Sequence, residues 1–193
     1  MLRLAPNVAL MTLLNYTTVP TTTPDERAAR LTEAGAAWGG RITADTSAAQ
    51  LSYRVSGSGE GSVATTIRAG KHEFVVDEPA ALAGDDVAAS PVEYALGALI
   101  SCQVVVYRLY AQALGIVVDD IAIDATGELD ARTLFGIEGG PRAGFTSVDL
   151  AITITGPETE ERYAELRAVV DAHCPVLDLF ANATPVTATV RKG

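Results

Sequence analysis

The sequence predicts an α+β protein with mostly antiparallel strands, and three observations carry that reading. Apolar and polar residues alternate around positions 51–55, 63–67, 121–125 and 148–154, the period of a strand with one buried face. A long, mostly uncharged helical pattern at 90–115 separates the first group of strands from the second. A second helical pattern then runs to a cysteine and a proline, and an alternating stretch closes the chain. The order is strands, long helix, strands, helix, strand, without internal repeats or βαβ alternation.

The first 45 residues read as an extension ahead of a domain at 46–193. A short apolar run at 8–14 follows Arg3, but no small-residue cleavage pattern comes after it, which argues against secretion. In TPDERAARLTEAGAAW, Thr23 is placed to cap a helix and Pro24 to open it, with Asp25 and Glu26 in the first turn. A short amphipathic helix is expected up to Trp38, ended by Gly39 and Gly40, packing on the domain or on a neighbouring subunit.

In the domain, Leu51, Tyr53 and Val55 are expected in one strand and Val63, Thr65 and Ile67 in the next, with SGSGEGS as the turn between them. Its glycines do not make a dinucleotide fingerprint, because Ser62 stands where the third glycine is required and a strand follows. HEFVVDEP reads as a third strand that must end at Pro79. The long helix is strongly specified. Ser90 caps it, Pro91 occupies the first helical position, Glu93 completes a capping box and Gly115 ends it. Its apolar residues fall on every face, so protein should surround it. Roughly 25 residues at about 1.5 Å each exceed the width of a small domain, which calls for cover by a second chain. Arg108, Gln103 and Gln112 interrupt the helix and argue against a membrane span.

Ile121, Ile123 and Ala125, then Val148, Leu150, Ile152 and Ile154, define the inward faces of two more strands. The connection DARTLFGIEGGPRAG is too long for a tight hairpin. PETEERYAELRAVVDAHC is expected to be helical, with Tyr163, Leu166, Val170 and Cys174 near one face; Pro175 breaks it, and PVTATV is expected to be a final strand.

A formal charge of −10 and a pI near 4.6, with no local basic cluster, disfavour nucleic acid and anionic membrane surfaces. Two cysteines far apart in sequence do not make a disulfide framework and fit a reducing cytoplasm. Cys102 and Cys174 each occupy an apolar helix or its end, and two readings stand. Either they fill core volume, or one thiolate attacks an oxidant and the other resolves the sulfenic acid as a disulfide. The second reading requires the two helices to meet at these residues. His173 next to Cys174, with His72 and Cys102, lacks metal-site spacing, and no G-x-S-x-G nucleophile elbow occurs. No bound cofactor or metal is expected.

SPVEYALGALISC, AQALGI and HCPVLDLFANATPVTATV, with HEFVVDEP and GELDARTLFGIEGGPRAGF, resemble the OsmC/Ohr family of cysteine-based hydroperoxide reductases, in its OsmC-like branch, over residues 48–193. The resemblance implies antiparallel sheets around two long central helices in an intertwined homodimer, with active sites at the subunit interface. It further implies Cys102 as peroxidatic and Cys174 as resolving cysteine, a small apolar hydroperoxide as substrate, and an external dithiol such as a lipoyl protein as reductant. Two positions depart from the pattern. The helix-opening proline is followed by Val92, and the acid is Glu93, which nine residues at about 100° and 1.5 Å each set on the opposite side from Cys102, about 13 Å away along the helix. The glycine-rich loop carries no arginine, leaving Arg54, Arg68 and Arg142 as candidate substitutes. Those departures keep open an alternative: a non-catalytic dimer that binds a small apolar ligand or senses redox state.

Overall fold

The structure, a computed structural model, describes residues 19–193; the apolar run at 8–14 lies outside the described residues. The first helix, α1 (Pro24–Ala44), opens as its sequence dictates. The Thr23 side chain accepts from the Glu26 N–H, and the Glu26 carboxylate accepts from the Thr23 N–H at 2.9 Å. The helix does not stop at Trp38, however. Gly39 and Gly40 are helical, and the chain leaves only at Asp45, which caps a following single turn of 3-10 helix. Glycine costs a helix about 1 kcal/mol per position but does not end one unless the backbone turns left-handed there.

Three antiparallel strands follow, β1 (Val55–Glu60), β2 (Ala64–Ala69) and β3 (His72–Val76), in the order β1-β2-β3. The first strand starts later than the alternation of Leu51, Tyr53 and Val55 implies, and SGSGE lies within it. Gly57 pairs with Ile67, and a Cβ there would fall 2.9 Å from Ile67 Cδ1, so the missing side chain lets Ile67 lie across the strand. The turn falls at Gly61, whose φ of 55° favours glycine. Much of this sheet is exposed, above all β1 and β3. Tyr53, Val55, Phe74 and Val75 are exposed, and the sheet meets the first turn of the long helix through Tyr94, whose ring lies 5.2 Å from that of Phe74 and whose hydroxyl donates to the Val75 carbonyl at 2.8 Å.

The long helix, α2 (Pro91–Leu114), has the predicted bounds. Ser90 and Glu93 form the capping box, and Gly115 closes the helix in the left-handed conformation. Its composition and length meet the criteria of a membrane span. Here it is a core helix on one side: Leu99, Gln103, Val106, Tyr107 and Ala111 recur at helical spacing and are buried. The other side, with Tyr94, Val105 and Leu109, is exposed, so this chain does not surround the helix as the apolar pattern demands.

Strands β4 (Asp120–Glu128) and β5 (Ser147–Thr155) pair antiparallel along their whole lengths, Ile123 opposite Ile152. Their inward faces are the predicted ones, and Ile121, Ile123, Ile152 and Ile154 pack on a core of Val106, Tyr107, Ala111, Ile116, Leu166, Val170 and Cys174. Gly127 faces the ring of Phe145, where a Cβ would stand 2.5 Å from Cε1. Gly127→Ala is therefore expected to destabilise the fold by about 1–3 kcal/mol in urea denaturation, as overpacking does.

The last helices are α3 (Glu160–His173), capped by Thr159, and α4 (Pro175–Ala181). Pro175 does more than break the first; it opens the second, since the first helical position needs no N–H. PVTATV is not a strand. Residues 183–193 are exposed and form no regular secondary structure, pairing with no strand among the described residues. A period of two supplies one face to bury, but a ladder also needs a free edge within reach.

Candidate functional site at the two cysteines

Cys102 lies at the middle of α2, half-buried, on the side that meets α3 and α4; Cys174 is both the last cap of α3 and the first of α4, and it is 2% exposed. Helix α2 packs against both α3 and α4. Cys102 packs against the core cluster that contains Cys174, and the two thiols are close enough to influence each other's ionisation. Burial pushes the Cys102 thiol above its ordinary pKa; the Val176 N–H pulls it back down, and the neighbouring Cys174 thiol pushes it up again. None of these influences is a cation. His173 is turned away, its ring on Tyr110 at 4.6 Å and its Nδ1–H donating to the Val169 carbonyl at 2.7 Å.

The supporting candidates separate. Glu93 is a cap: its carboxylate accepts from the Ser90 N–H at 2.7 Å and the Ser90 hydroxyl at 2.6 Å, which lowers its pKa. Arg68 pairs with Glu73 directly across the β2–β3 ladder at 2.6 Å and is 71% exposed. Arg54 is exposed, just ahead of β1. Arg142 alone reaches a cavity next to the helix crossing, an open groove of about 620 Å³. Its walls include Leu99, one turn before Cys102, Leu177 of α4, and the stacked rings of Phe145 and Phe180, 6.3 Å apart.

A second guanidinium on that groove, Arg167, escaped the reading of the sequence. It belongs to α3 and is held by Asp171 at 3.1 Å. Seven residues before Cys174 is two helical turns, so the spacing itself puts both on one face. Two buried polar side chains also went unsingled. Tyr107 is fully buried and pushed up to about 12 by burial, with Arg167 lowering and Asp171 raising it. Gln103 is fully enclosed, and neither amide atom finds a partner among the described residues. Removing an unsatisfied amide at conserved volume stabilises, so Gln103→Met is expected to raise stability by about 1–2 kcal/mol. A drop in the urea midpoint would instead place a water or another chain's group on that amide.

A family model described as OsmC-like protein matches residues 84–189, more than half of the chain. Among solved structures, the chain is similar to an OsmC-like protein from Mycoplasma pneumoniae at 18% identity, covering 68% of this chain and 89% of that one, with a TM-score of 0.60. It is similar to an organic hydroperoxide resistance protein OsmC from Legionella pneumophila at 21% identity, covering 67% and 89%, with a TM-score of 0.53. An organic hydroperoxide resistance protein from Elizabethkingia anophelis matches at 22% identity over 67% and 89%, with a TM-score of 0.52. At these identities the likeness carries the fold. A search of curated proteins found no match.

Proposed function

We propose, from the premise that this chain belongs to the OsmC-like protein family, that it reduces organic hydroperoxides with Cys102 as the attacking thiol and Cys174 as the resolving one. The observation that carries this reading is the meeting of two free thiols at one helix crossing, beside a groove with one apolar wall. The Cys102 thiolate attacks the terminal oxygen of ROOH. The O–O bond breaks, ROH departs with a proton, and Cys102 is left as a sulfenic acid. The Cys174 thiol then attacks that sulfur; a disulfide forms and water leaves. An external dithiol of the lipoyl type returns both thiols. Leu99, Leu177, Phe145 and Phe180 offer the organic part of the peroxide an apolar wall, and Arg142 and Arg167 are the guanidiniums on that groove among the described residues.

The working form on this reading is a cytoplasmic homodimer. A second copy covers the outward side of α2 and the exposed strands β1 and β3, and its groups complete the site, including a cation to lower the pKa of Cys102. Without one, the thiolate is scarce at neutral pH. Oxidation of the protein is therefore expected to accelerate by about tenfold per pH unit up to the raised pKa of Cys102 if the cation is missing, and to level off well below it if a partner supplies one.

Stopped-flow oxidation of the reduced protein by cumene hydroperoxide and by linoleic hydroperoxide tests the proposal. Rates no faster than free cysteine, for both, would sink it. One observation favours a second reading, a non-catalytic dimer that binds an apolar ligand or senses redox state: burial raises the thiol where a nucleophile needs it lowered. Native mass spectrometry showing a retained apolar ligand, with no turnover, would favour that alternative.

A further inference from the structure

The helix α1 lies outside the residues matched by the family model, and its seat on the body of the protein makes a second cavity far along α2 from Cys102. Two anchors hold the seat. Gln112 donates to the Thr32 hydroxyl at 3.1 Å, and Arg27 donates to the Asp119 carbonyl at 3.3 Å. The cavity between them measures about 320 Å³, at the small end of ligand sites, with Ala28, Leu31, Ala111, Ile116 and Val118 among its apolar walls.

Its polar end is unusual for a chain with 24 acidic and 14 basic side chains. Arg108 enters from α2, its side chain 17% exposed, and donates to the Val118 carbonyl at 2.7 Å and weakly to the Asp119 carbonyl at 3.5 Å. Arg27 uses that same Asp119 carbonyl, so two guanidiniums converge on one neutral acceptor. Their charge is poorly neutralised. The nearest carboxylate to Arg108 is that of Asp120 at 3.9 Å, itself 82% exposed, and among the described residues none lies within ion-pair distance of Arg27. Residues 1–18 contain no Asp or Glu that would serve. Asp25 and Asp119 line the rim without pairing to either arginine. Burial lowers the Arg108 pKa most, and among its charged neighbours the repulsion of Arg27 exceeds the attraction of either Asp120 or Asp119 taken singly.

We propose that the α1–α2 cavity binds a small monocarboxylate with a short apolar tail, its carboxylate bridging Arg27 and Arg108 and its tail lying on Leu31, Ala111 and Ile116. A carboxylate matches the guanidinium fork at two oxygens and relieves the repulsion between the arginines, while the apolar walls reward a tail that inorganic anions lack. The site is separate from the cysteine groove and independent of peroxide chemistry.

Calorimetric titration of the full chain with hexanoate, hexanol and inorganic phosphate tests it. Saturable hexanoate binding, weakened by roughly tenfold or more in Arg27→Gln, is expected, since a charge-assisted bidentate contact is lost. Arg27 also anchors α1 through the Asp119 carbonyl, so Thr32→Val, which removes the other anchor but no charge, is the control and should keep hexanoate binding; Leu31→Glu, which places a carboxylate in the tail region, should weaken it. Hexanol binding as tightly as hexanoate, phosphate binding as tightly, or hexanoate binding lost in Arg142→Gln but kept in Arg27→Gln would each overturn the assignment, as would no saturable hexanoate binding.

Discussion

Cys102→Ser should abolish consumption of organic hydroperoxide, whereas Cys174→Ser should still consume one equivalent and stop. The asymmetry follows from what each sulfur does in the proposed sequence. Without Cys102 no thiolate faces the peroxide, and a serine hydroxyl, far less acidic and less nucleophilic, does not replace it. Without Cys174 the first step proceeds, and the sulfenic acid on Cys102 persists long enough for dimedone to label it. Peptide mapping of the wild type after one equivalent of peroxide should show a Cys102–Cys174 disulfide closing a loop of about 70 residues, with a higher melting temperature for the oxidised form because the unfolded chain loses loop entropy. Stability is the control. If the thiols only fill the core, either serine variant buries a hydroxyl at a cost of about 1–2 kcal/mol and peroxide handling is unchanged. Recovery of both cysteines as free thiols from peroxide-treated protein would end the redox-pair reading.

Val105→Glu should break the assembly. Val105 is 56% exposed in the protomer and stands in a column with Tyr94, Ala98, Ser101 and Leu109 along the outward side of α2. If two copies pack these columns together about a two-fold axis, each variant interface buries two unpaired carboxylates, because every contact in such an interface occurs twice. Desolvating an unpaired carboxylate costs several kcal/mol, so the dimer should weaken by about a thousandfold or more. Sedimentation at micromolar concentration should give a dimer for the wild type and monomer or aggregate for the variant. A wild type that sediments as a clean monomer would refute the dimer.

What the sequence made legible was whatever is fixed locally. The capping boxes of α1 and α2, the prolines that open those two helices and the left-handed Gly115 depend on residues within one turn, and all stand where the spacing puts them. The faces of β4 and β5 were equally readable, because a pleat with one buried side leaves no second register. Local rules failed where the partner lies elsewhere in the chain. Gly57 reads as a loop residue until Ile67 is seen lying across it, and PVTATV reads as a strand although the described chain gives it no edge. The candidate site divides in the same way. The cap at Glu93 was evident from spacing, whereas only the family resemblance favoured a redox pair over core filler for the two cysteines; the choice among Arg54, Arg68 and Arg142 depended on which loop reaches the helix crossing, and Arg167 was passed over as part of an amphipathic face.

The unequal exposure of the two sulfurs also decides how an oxidised site would be recovered. Thiol–disulfide exchange needs the incoming thiolate in line with the bond it breaks, and Cys174, 2% exposed at the junction of α3 and α4, offers no approach. A reductant must therefore engage Cys102, expelling Cys174 and remaining tethered to α2 as a mixed disulfide. The expelled thiol stays beside that new bond and is placed to displace the reductant again. A monothiol such as glutathione would be displaced many times before a second molecule attacks its sulfur and completes the reduction, while a dithiol escapes by closing its own ring faster than Cys174 returns. The preference for a two-thiol donor would then be written in the burial of one residue of the acceptor, with no docking surface needed to enforce it.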